Sequence, residues 1–161
     1  MEAVALVSAR QNPVEINGNQ LRLPDVVDVA RCGAEVFLQK ESLAKVEKCR
    51  RYLEQLMEEG KIIYGINTGF GKFSEIIISK DELLTLQKNL LASHAVAVGE
   101  AFEEEIVRAI MLLRANTLAK GYSGVRPVVI QLLMDMLNRG VHPVIPCQGS
   151  LGASGDLAPL A

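Results

Sequence analysis

Three adjacent residues, Ala153-Ser154-Gly155, have types that allow an unusual backbone reaction. If the chain bends sharply, the nitrogen of Gly155 can attack the carbonyl of Ala153 and close a five-membered ring around Ser154. Loss of water, including the serine hydroxyl, leaves a methylene conjugated to an imidazolone, which is a strong electrophile. The tripeptide alone also fits a plain alternative, a serine that caps a helix beginning at Asp156. A serine-hydrolase elbow is disfavoured, because Asp156 stands where the second glycine of G-x-S-x-G would be.

Two further residues could do chemistry. Tyr64 precedes the glycine-rich run GINTGFG, which is not a phosphate loop because five residues separate Gly65 from Gly71. The run is either a loop that needs positive φ angles or a flexible lid that carries Tyr64. His94 lies on a predicted apolar helix, where it is either a satisfied structural histidine or a group that contacts a ligand.

Composition narrows the function classes. The chain has 161 residues, 49% hydrophobic and 22% charged, with a formal net charge of −2, which is typical of a soluble globular protein. No basic footprint or membrane span is present, so we expect neither a nucleic-acid nor a membrane partner. Three separated cysteines and two histidines argue against a metal site and favour a reducing, cytoplasmic location.

The elements that must position these residues give a mainly α fold. Residues 1–78 are expected to form a small α/β portion with the Tyr64 loop, and residues 79–161 to begin a bundle of long helices. The predicted elements are a hairpin at 13–23, helices at 24–32, 42–59, 80–97, 103–120 and 127–139, and extended runs at 36–38 and 61–64. Ser79 and Glu82 have the spacing of a capping box. Because the sequence stops as an apolar helix opens, we expect it to be a fragment of a longer protein.

Four long motifs identify the chain as similar to the aromatic amino acid ammonia-lyases. They are YGINTGFGK (64–72), LQKNLLASHAVAVG (86–99), LLRANTLAKGYSGVR (112–126) and VHPVIPCQGSLGASGDLAPLA (141–161). The resemblance implies that Ala153, Ser154 and Gly155 become the 4-methylidene-imidazol-5-one group (MIO), with Asp156 supporting the cyclisation. It implies no metal and no external cofactor. Tyr64 matches the family's catalytic base, and the loop glycines then act as hinges that close it over the substrate.

The resemblance also suggests the substrate. His94 matches a position that distinguishes substrates in the family: phenylalanine-specific members carry apolar residues there, whereas histidine- and tyrosine-specific members carry His. The pair Gly152-Ala153 and the run KFSE after the loop favour the histidine-specific subgroup over tyrosine ammonia-lyases. Asn67 and Gly71 match substrate-binding positions. The expected reaction removes ammonia from the small-molecule substrate L-histidine and yields trans-urocanate. A tyrosine or phenylalanine ammonia-lyase or aminomutase of the same family remains an alternative, as does a truncated, non-catalytic helical module.

Family members are longer and assemble as homotetramers whose active sites draw on three subunits. Residues that complete such a pocket would follow position 161. The 161-residue chain alone is therefore expected to be inactive and to leave Ser154 uncyclised.

Overall fold

The computed structural model describes residues 12–150 and 157–161, and only the backbone of Lys80. The expected mainly helical fold class is confirmed. Five α-helices form in the described part of the chain: α1 (Leu23–Cys32), α2 (Lys40–Glu58), α3 (Lys80–His94), α4 (Glu104–Leu118) and α5 (Pro127–Asn138). Short strands accompany them: β1 (Val14–Ile16), β2 (Val36–Leu38), β3 (Val98–Ala101) and β4 (Pro146–Gln148). Two 3₁₀ turns span Gly71–Phe73 and Ala158–Leu160.

The chain divides into two compact units. The first unit comprises Met1–Tyr52 and Glu103–Val144, and the second comprises Leu53–Phe102 and Ile145–Ala161. Each unit thus draws on two separate stretches of sequence. The expected domain division at residues 78 and 79 stays a prediction.

The hairpin predicted for residues 13–23 is wrong. β1 pairs instead in parallel with β2, with Val14 opposite Val36 and Ile16 opposite Leu38. The Asn17–Gly18 turn forms, but side chains close it rather than a returning strand. The side-chain oxygen of Asn17 accepts hydrogen bonds from the backbone N–H groups of Asn19 and Gln20, at 3.0 Å each.

The turn is anchored by a helix far along the chain. The backbone N–H of Gly18 donates to the side-chain oxygen of Asn116 on α4 at 2.8 Å. A side chain on α4 therefore satisfies the backbone donor of this turn, and the turn needs no returning strand.

Helices α1, α4 and α5 bury the core of the first unit. Val29, Leu112 and Ile130 are fully buried, each with 0% relative exposure. Asn138 at the end of α5 extends this packing to the sheet, since its side chain accepts the N–H of Val36 at 2.8 Å and donates to the Val36 carbonyl at 2.9 Å. An asparagine amide thus occupies the edge of β2 as a neighbouring strand would.

A buried cation links the same helices. Arg108 on α4 is 6% exposed, and its guanidinium donates to the backbone carbonyls of Val29 (2.9 Å) and Leu137 (3.2 Å). It also donates to Nε2 of His142 at 2.9 Å, so the neutral ring accepts there. The first unit therefore places a charge among carbonyl dipoles that come from the ends of two helices.

The helix boundaries follow local signals. α1 has a proline in its first turn, and Asp25 accepts the backbone N–H of Arg22 at 2.8 Å. It ends at Gly33, whose φ of 71° is left-handed. The capping box expected at α3 takes a different form, because the Ser79 hydroxyl donates to the carboxylate of Glu82 at 2.7 Å rather than accepting a backbone N–H. Among the described residues, no helix has the length and apolar character needed to cross a bilayer.

Candidate active site

The side chain of Asn67 helps to close the segment that carries Tyr64. The Asn67 side chain is almost fully buried, and its oxygen accepts the backbone N–H of Ile63 while its nitrogen donates to the carbonyl of Lys61, both at 2.8 Å. These backbone groups would otherwise need a neighbouring strand. The run 61–64 was predicted to be extended, but it forms no strand, because Asn67 supplies its hydrogen-bond partners.

Residues 67–69 then pair with the chain that follows the loop. Thr68 forms an isolated antiparallel bridge with Ile77, and the N–H of Gly69 donates to the carbonyl of Ile76 at 3.1 Å. The hydroxyl of Thr68, which is fully buried, donates to the Gly69 carbonyl at 2.8 Å. The loop is therefore tied at its base by both backbone and side-chain hydrogen bonds.

Two of the loop glycines are required for different reasons. A Cβ at Gly69 would lie 2.5 Å from the Cβ of Phe73, which is closer than real Cβ atoms approach. Gly71 has open space around it, but its φ of 57° is the left-handed conformation that glycine favours. Close approach fixes the first glycine, and backbone conformation fixes the second.

Tyr64 itself is held lightly. Its side chain is 62% exposed, and its ring meets Phe70 edge-on with centroids 6.1 Å apart. The N–H of Gly71 points at the hydroxyl oxygen of Tyr64 over a long 3.4 Å. Of the two predicted substrate-binding residues on this loop, Gly71 therefore contacts Tyr64, whereas the side chain of Asn67 is committed to the loop's own backbone.

His94 is the last residue of α3, with its side chain partly buried. Its Nδ1 lies 2.8 Å from the carbonyl oxygen of Leu90 and 2.9 Å from Oγ of Ser93. These contacts turn Nδ1 towards the helix end. In the part of the chain that the structure describes, Nε2 of His94 has no hydrogen-bond partner.

One apolar cavity is lined by neighbours of both groups. Its volume is about 420 Å³, and it is lined from the loop by residues that include Phe70 and Phe73 and from α3 by residues that include Leu90 and Ser93. Phe70 contacts the ring of Tyr64, and Ser93 contacts the ring of His94. The second unit thus brings the neighbours of both predicted residues around a single space of a size suited to a small aromatic molecule.

A strand pair joins the residues that follow His94 to the residues that precede the Ala-Ser-Gly segment. β3 begins shortly after α3 and pairs antiparallel with β4, with Val98 opposite Gln148. Directly after β4, Gly149 adopts a φ of 144°, and a Cβ there would lie 2.7 Å from the Cα of Ala97. Because only glycine permits this approach, the backbone at residue 149 lies against the residue three positions beyond His94.

Ala153, Ser154, Gly155 and Asp156 lie outside the described residues, so their roles stay predictions. Sequence reasoning missed the Ser93–Leu90 contacts of His94 and the packing of Gly149 on Ala97. The first had a readable signal, since residues four apart on a helix are neighbours. Among the residues that the structure describes, no three His, Cys, Asp or Glu side chains gather where they could hold a metal ion.

Comparison with known proteins places this geometry in a family. The family model for aromatic amino acid lyases matches residues 21–161. The chain is 55% identical over 148 residues to histidine ammonia-lyase from Alkaliphilus metalliredigens, and 49% identical to the Bacillus cereus protein of that name. Each alignment covers 92% of this chain and 29% of the relative. The chain therefore spans about 29% of the length of these curated relatives.

Two solved structures share the fold but are enzymes named for different activities. Tyrosine aminomutase from Streptomyces globisporus superposes with a TM-score of 0.86 at 43% identity, covering 92% of this chain and 28% of that one. Histidine ammonia-lyase from Trypanosoma cruzi gives 0.83 at 35% identity, with the same coverage of both chains. Both likenesses extend over nearly all of the present chain.

Proposed function

Because this chain belongs to the aromatic amino acid lyase family, we propose that it supplies part of an ammonia-lyase that converts L-histidine to trans-urocanate and ammonia. The observation that carries the proposal is the cavity lined by Phe70 and Ser93, the neighbours of Tyr64 and His94. The curated relatives named histidine ammonia-lyase, at 48–55% identity, support histidine as the substrate.

Each of the four site residues that the structure describes has a role in the proposed reaction. Tyr64, exposed on its loop, removes a β-proton from the substrate, and such proton transfer accelerates reactions typically about 10²–10⁴-fold. His94 contacts the substrate ring. Asn67 and Gly71 contribute to the substrate pocket by shaping the loop that carries Tyr64. The Asn67 side chain bonds the backbone at the start of this loop, and the Gly71 N–H donates to the hydroxyl of Tyr64.

One described feature next to the Ala-Ser-Gly segment, the close approach of Gly149 to Ala97, supports the family's prosthetic group. Gly149 brings bare backbone against Ala97 directly before the segment, in a place that a Cβ would fill. We propose Ala153, Ser154 and Gly155 as precursors of MIO, with Asp156 supporting the cyclisation. The group supplies an electrophile that makes the substrate's nitrogen a good leaving group.

A chimera tests the proposed function. The 148 aligned residues of this chain replace their counterparts in the Alkaliphilus metalliredigens protein, and formation of urocanate is followed by its ultraviolet absorbance. We expect the chimera to act on L-histidine and to elute as a homotetramer. A chimera that folds and assembles but leaves histidine unchanged contradicts the proposal.

The 161-residue chain alone should be inactive and uncyclised. Intact-mass measurement checks this, because cyclisation and dehydration remove two waters from the expected mass. A mass lower by two waters would show that the chain cyclises Ser154 without further sequence.

A second candidate is an aminomutase or ammonia-lyase acting on tyrosine. It is favoured by the 43% identity and the TM-score of 0.86 to the tyrosine aminomutase structure. Assay of the chimera on L-tyrosine separates the two, since an aminomutase yields β-tyrosine and an ammonia-lyase yields a coumarate. Faster turnover of tyrosine than of histidine would select this second candidate.

A further inference from the structure

The ring of His94 folds back over the C-terminal end of α3. Nδ1 lies 2.8 Å from the carbonyl oxygen of Leu90 and 2.9 Å from the hydroxyl oxygen of Ser93. The Ser93 hydroxyl donates to the same Leu90 carbonyl at 2.8 Å. Three polar atoms therefore meet in one small cluster, and their hydrogens must be arranged consistently.

The Leu90 carbonyl decides that arrangement, because a carbonyl oxygen only accepts hydrogen bonds. The Ser93 hydroxyl hydrogen is directed to it, and Nδ1 must also carry a hydrogen to make a contact of 2.8 Å favourable. The other neutral tautomer would place the Nδ1 lone pair against the oxygen lone pairs of Leu90. With its own hydrogen directed to Leu90, Oγ of Ser93 is free to accept from Nδ1 as a second acceptor.

We infer that Leu90 and Ser93 hold neutral His94 as the Nδ1–H tautomer, so that Nε2 is a hydrogen-bond acceptor for the ring of the substrate. Ser93 is then a positioning residue that acts through His94. This inference rests on the proposed function, which places His94 at the substrate ring. No described residue competes for Nε2.

An acceptor at this place defines a class of substrate. It pairs with an aromatic amino acid whose ring bears an N–H or O–H donor, such as imidazole or phenol. A ring without a donor, such as phenyl or thiazolyl, gives Nε2 no hydrogen-bond partner in the complex. The loss of one such hydrogen bond corresponds to roughly two- to tenfold in kcat/KM.

The tautomer is measured directly by ¹⁵N–¹H NMR of the 161-residue chain at alkaline pH. His94 and His142 are the two histidines, and His94→Gln identifies the His94 signals by their disappearance. We expect the hydrogen of His94 to lie mainly on Nδ1, with the Nε2–H tautomer as the minor form. A hydrogen that lies mainly on Nε2 would overturn the inference.

Three serine variants test the part played by Ser93. Ser93→Ala should lower the ratio of the Nδ1–H to the Nε2–H tautomer roughly two- to tenfold, and Ser93→Thr, which keeps the hydroxyl, should restore it. Ser79→Ala is the matched control, since that hydroxyl bonds Glu82 at the other end of α3. An unchanged ratio in Ser93→Ala removes Ser93 as a positioning residue.

The chimera tests whether the tautomer of His94 affects substrate preference. Its kcat/KM for L-histidine relative to β-(2-thiazolyl)alanine should fall in Ser93→Ala in proportion to the fraction of His94 in the Nδ1–H tautomer and recover in Ser93→Thr. If that fraction falls but this preference does not, Nε2 does not serve the substrate ring. If the chimera acts on no aromatic amino acid, the proposed function fails, while the NMR result still decides the tautomer.

Discussion

At the scale of single residues, Tyr64 has few contacts to lose. Its side chain is 62% exposed and its hydroxyl meets one N–H at 3.4 Å. In the chimera, Tyr64→Phe should therefore lower kcat on histidine by about 10²–10⁴-fold while changing the free energy of unfolding by less than about 0.5 kcal/mol. Tyr52→Phe, at a comparably exposed tyrosine, is the control and should leave kcat unchanged. Equal rates for the two variants would remove Tyr64 as the base.

Asp25 predicts a pH dependence of stability at the start of α1. Hydrogen bonds from the Arg22 side chain and backbone hold the pKa of Asp25 below its usual value of 3.8. A carboxyl group with a lowered folded-state pKa stabilises the protein above its unfolded pKa, and that stability is lost as the pH falls through the folded value.

Denaturant unfolding of Asp25→Asn at several pH values measures this contribution. The wild type should be more stable than Asp25→Asn by a constant amount above about pH 5, and the difference should shrink below about pH 4. Asp28→Asn, on the same helix, is the control. A difference that stays constant down to pH 2 contradicts the assignment to the Asp25 carboxylate.

At the scale of elements, the loop after Tyr64 depends on its glycines in two separable ways. Gly69→Ala introduces a Cβ 2.5 Å from Phe73 and should break the pairing of Gly69 with Ile76, at a cost of about 1–3 kcal/mol. Gly71→Ala adds only the strain of a left-handed alanine, about 1–2 kcal/mol.

Amide hydrogen exchange separates these two variants. The N–H groups of Gly69 and Ile78 donate across the base of the loop and should lose protection in Gly69→Ala but keep it in Gly71→Ala. Loss of protection in both variants would mean that the left-handed turn, rather than the close approach, holds the loop.

The elements also show what sequence patterns can predict. Helices α1, α2, α4 and α5 lie close to their predicted bounds, because prolines, glycines and apolar periodicity act locally. The hairpin at 13–23 failed because the partner of β1 comes from Val36–Leu38, beyond a helix, and the signal of Asn17–Gly18 is local. The run 61–64 failed for a different reason, since the side chain of the nearby Asn67 replaces the strand that the pattern implied. A partner that is distant in sequence, such as β2 for β1, carries no local signature, and a side chain that takes the place of a strand is not distinguished by an extended pattern.

At the scale of the whole molecule, the stability of the first unit depends on Arg108. Its removal leaves the carbonyls of Val29 and Leu137 and Nε2 of His142 without their donor in buried surroundings. Arg108→Met should therefore lower the free energy of unfolding by about 2–5 kcal/mol. Arg114→Met, on the exposed side of the same helix, should change it by less than about 0.5 kcal/mol. Denaturant titration compares the two, and equal effects would show that Arg108 does not stabilise the core.

The strand pair β3–β4 has a consequence for tolerated changes in chain length. The pairing closes a loop that contains Glu103–Val144, and the entropic cost of loop closure rises by only about 0.6 kcal/mol for each doubling of its length. Residues inserted between the helices of that segment should thus barely disturb the meeting of Gly149 with Ala97. A single residue inserted within β4 would instead advance Gly149 by about 3.4 Å and move each later side chain of the strand to the opposite face. Insertions should therefore be tolerated in the connections between the helices of Glu103–Val144 and should disrupt the structure when placed within β3 or β4.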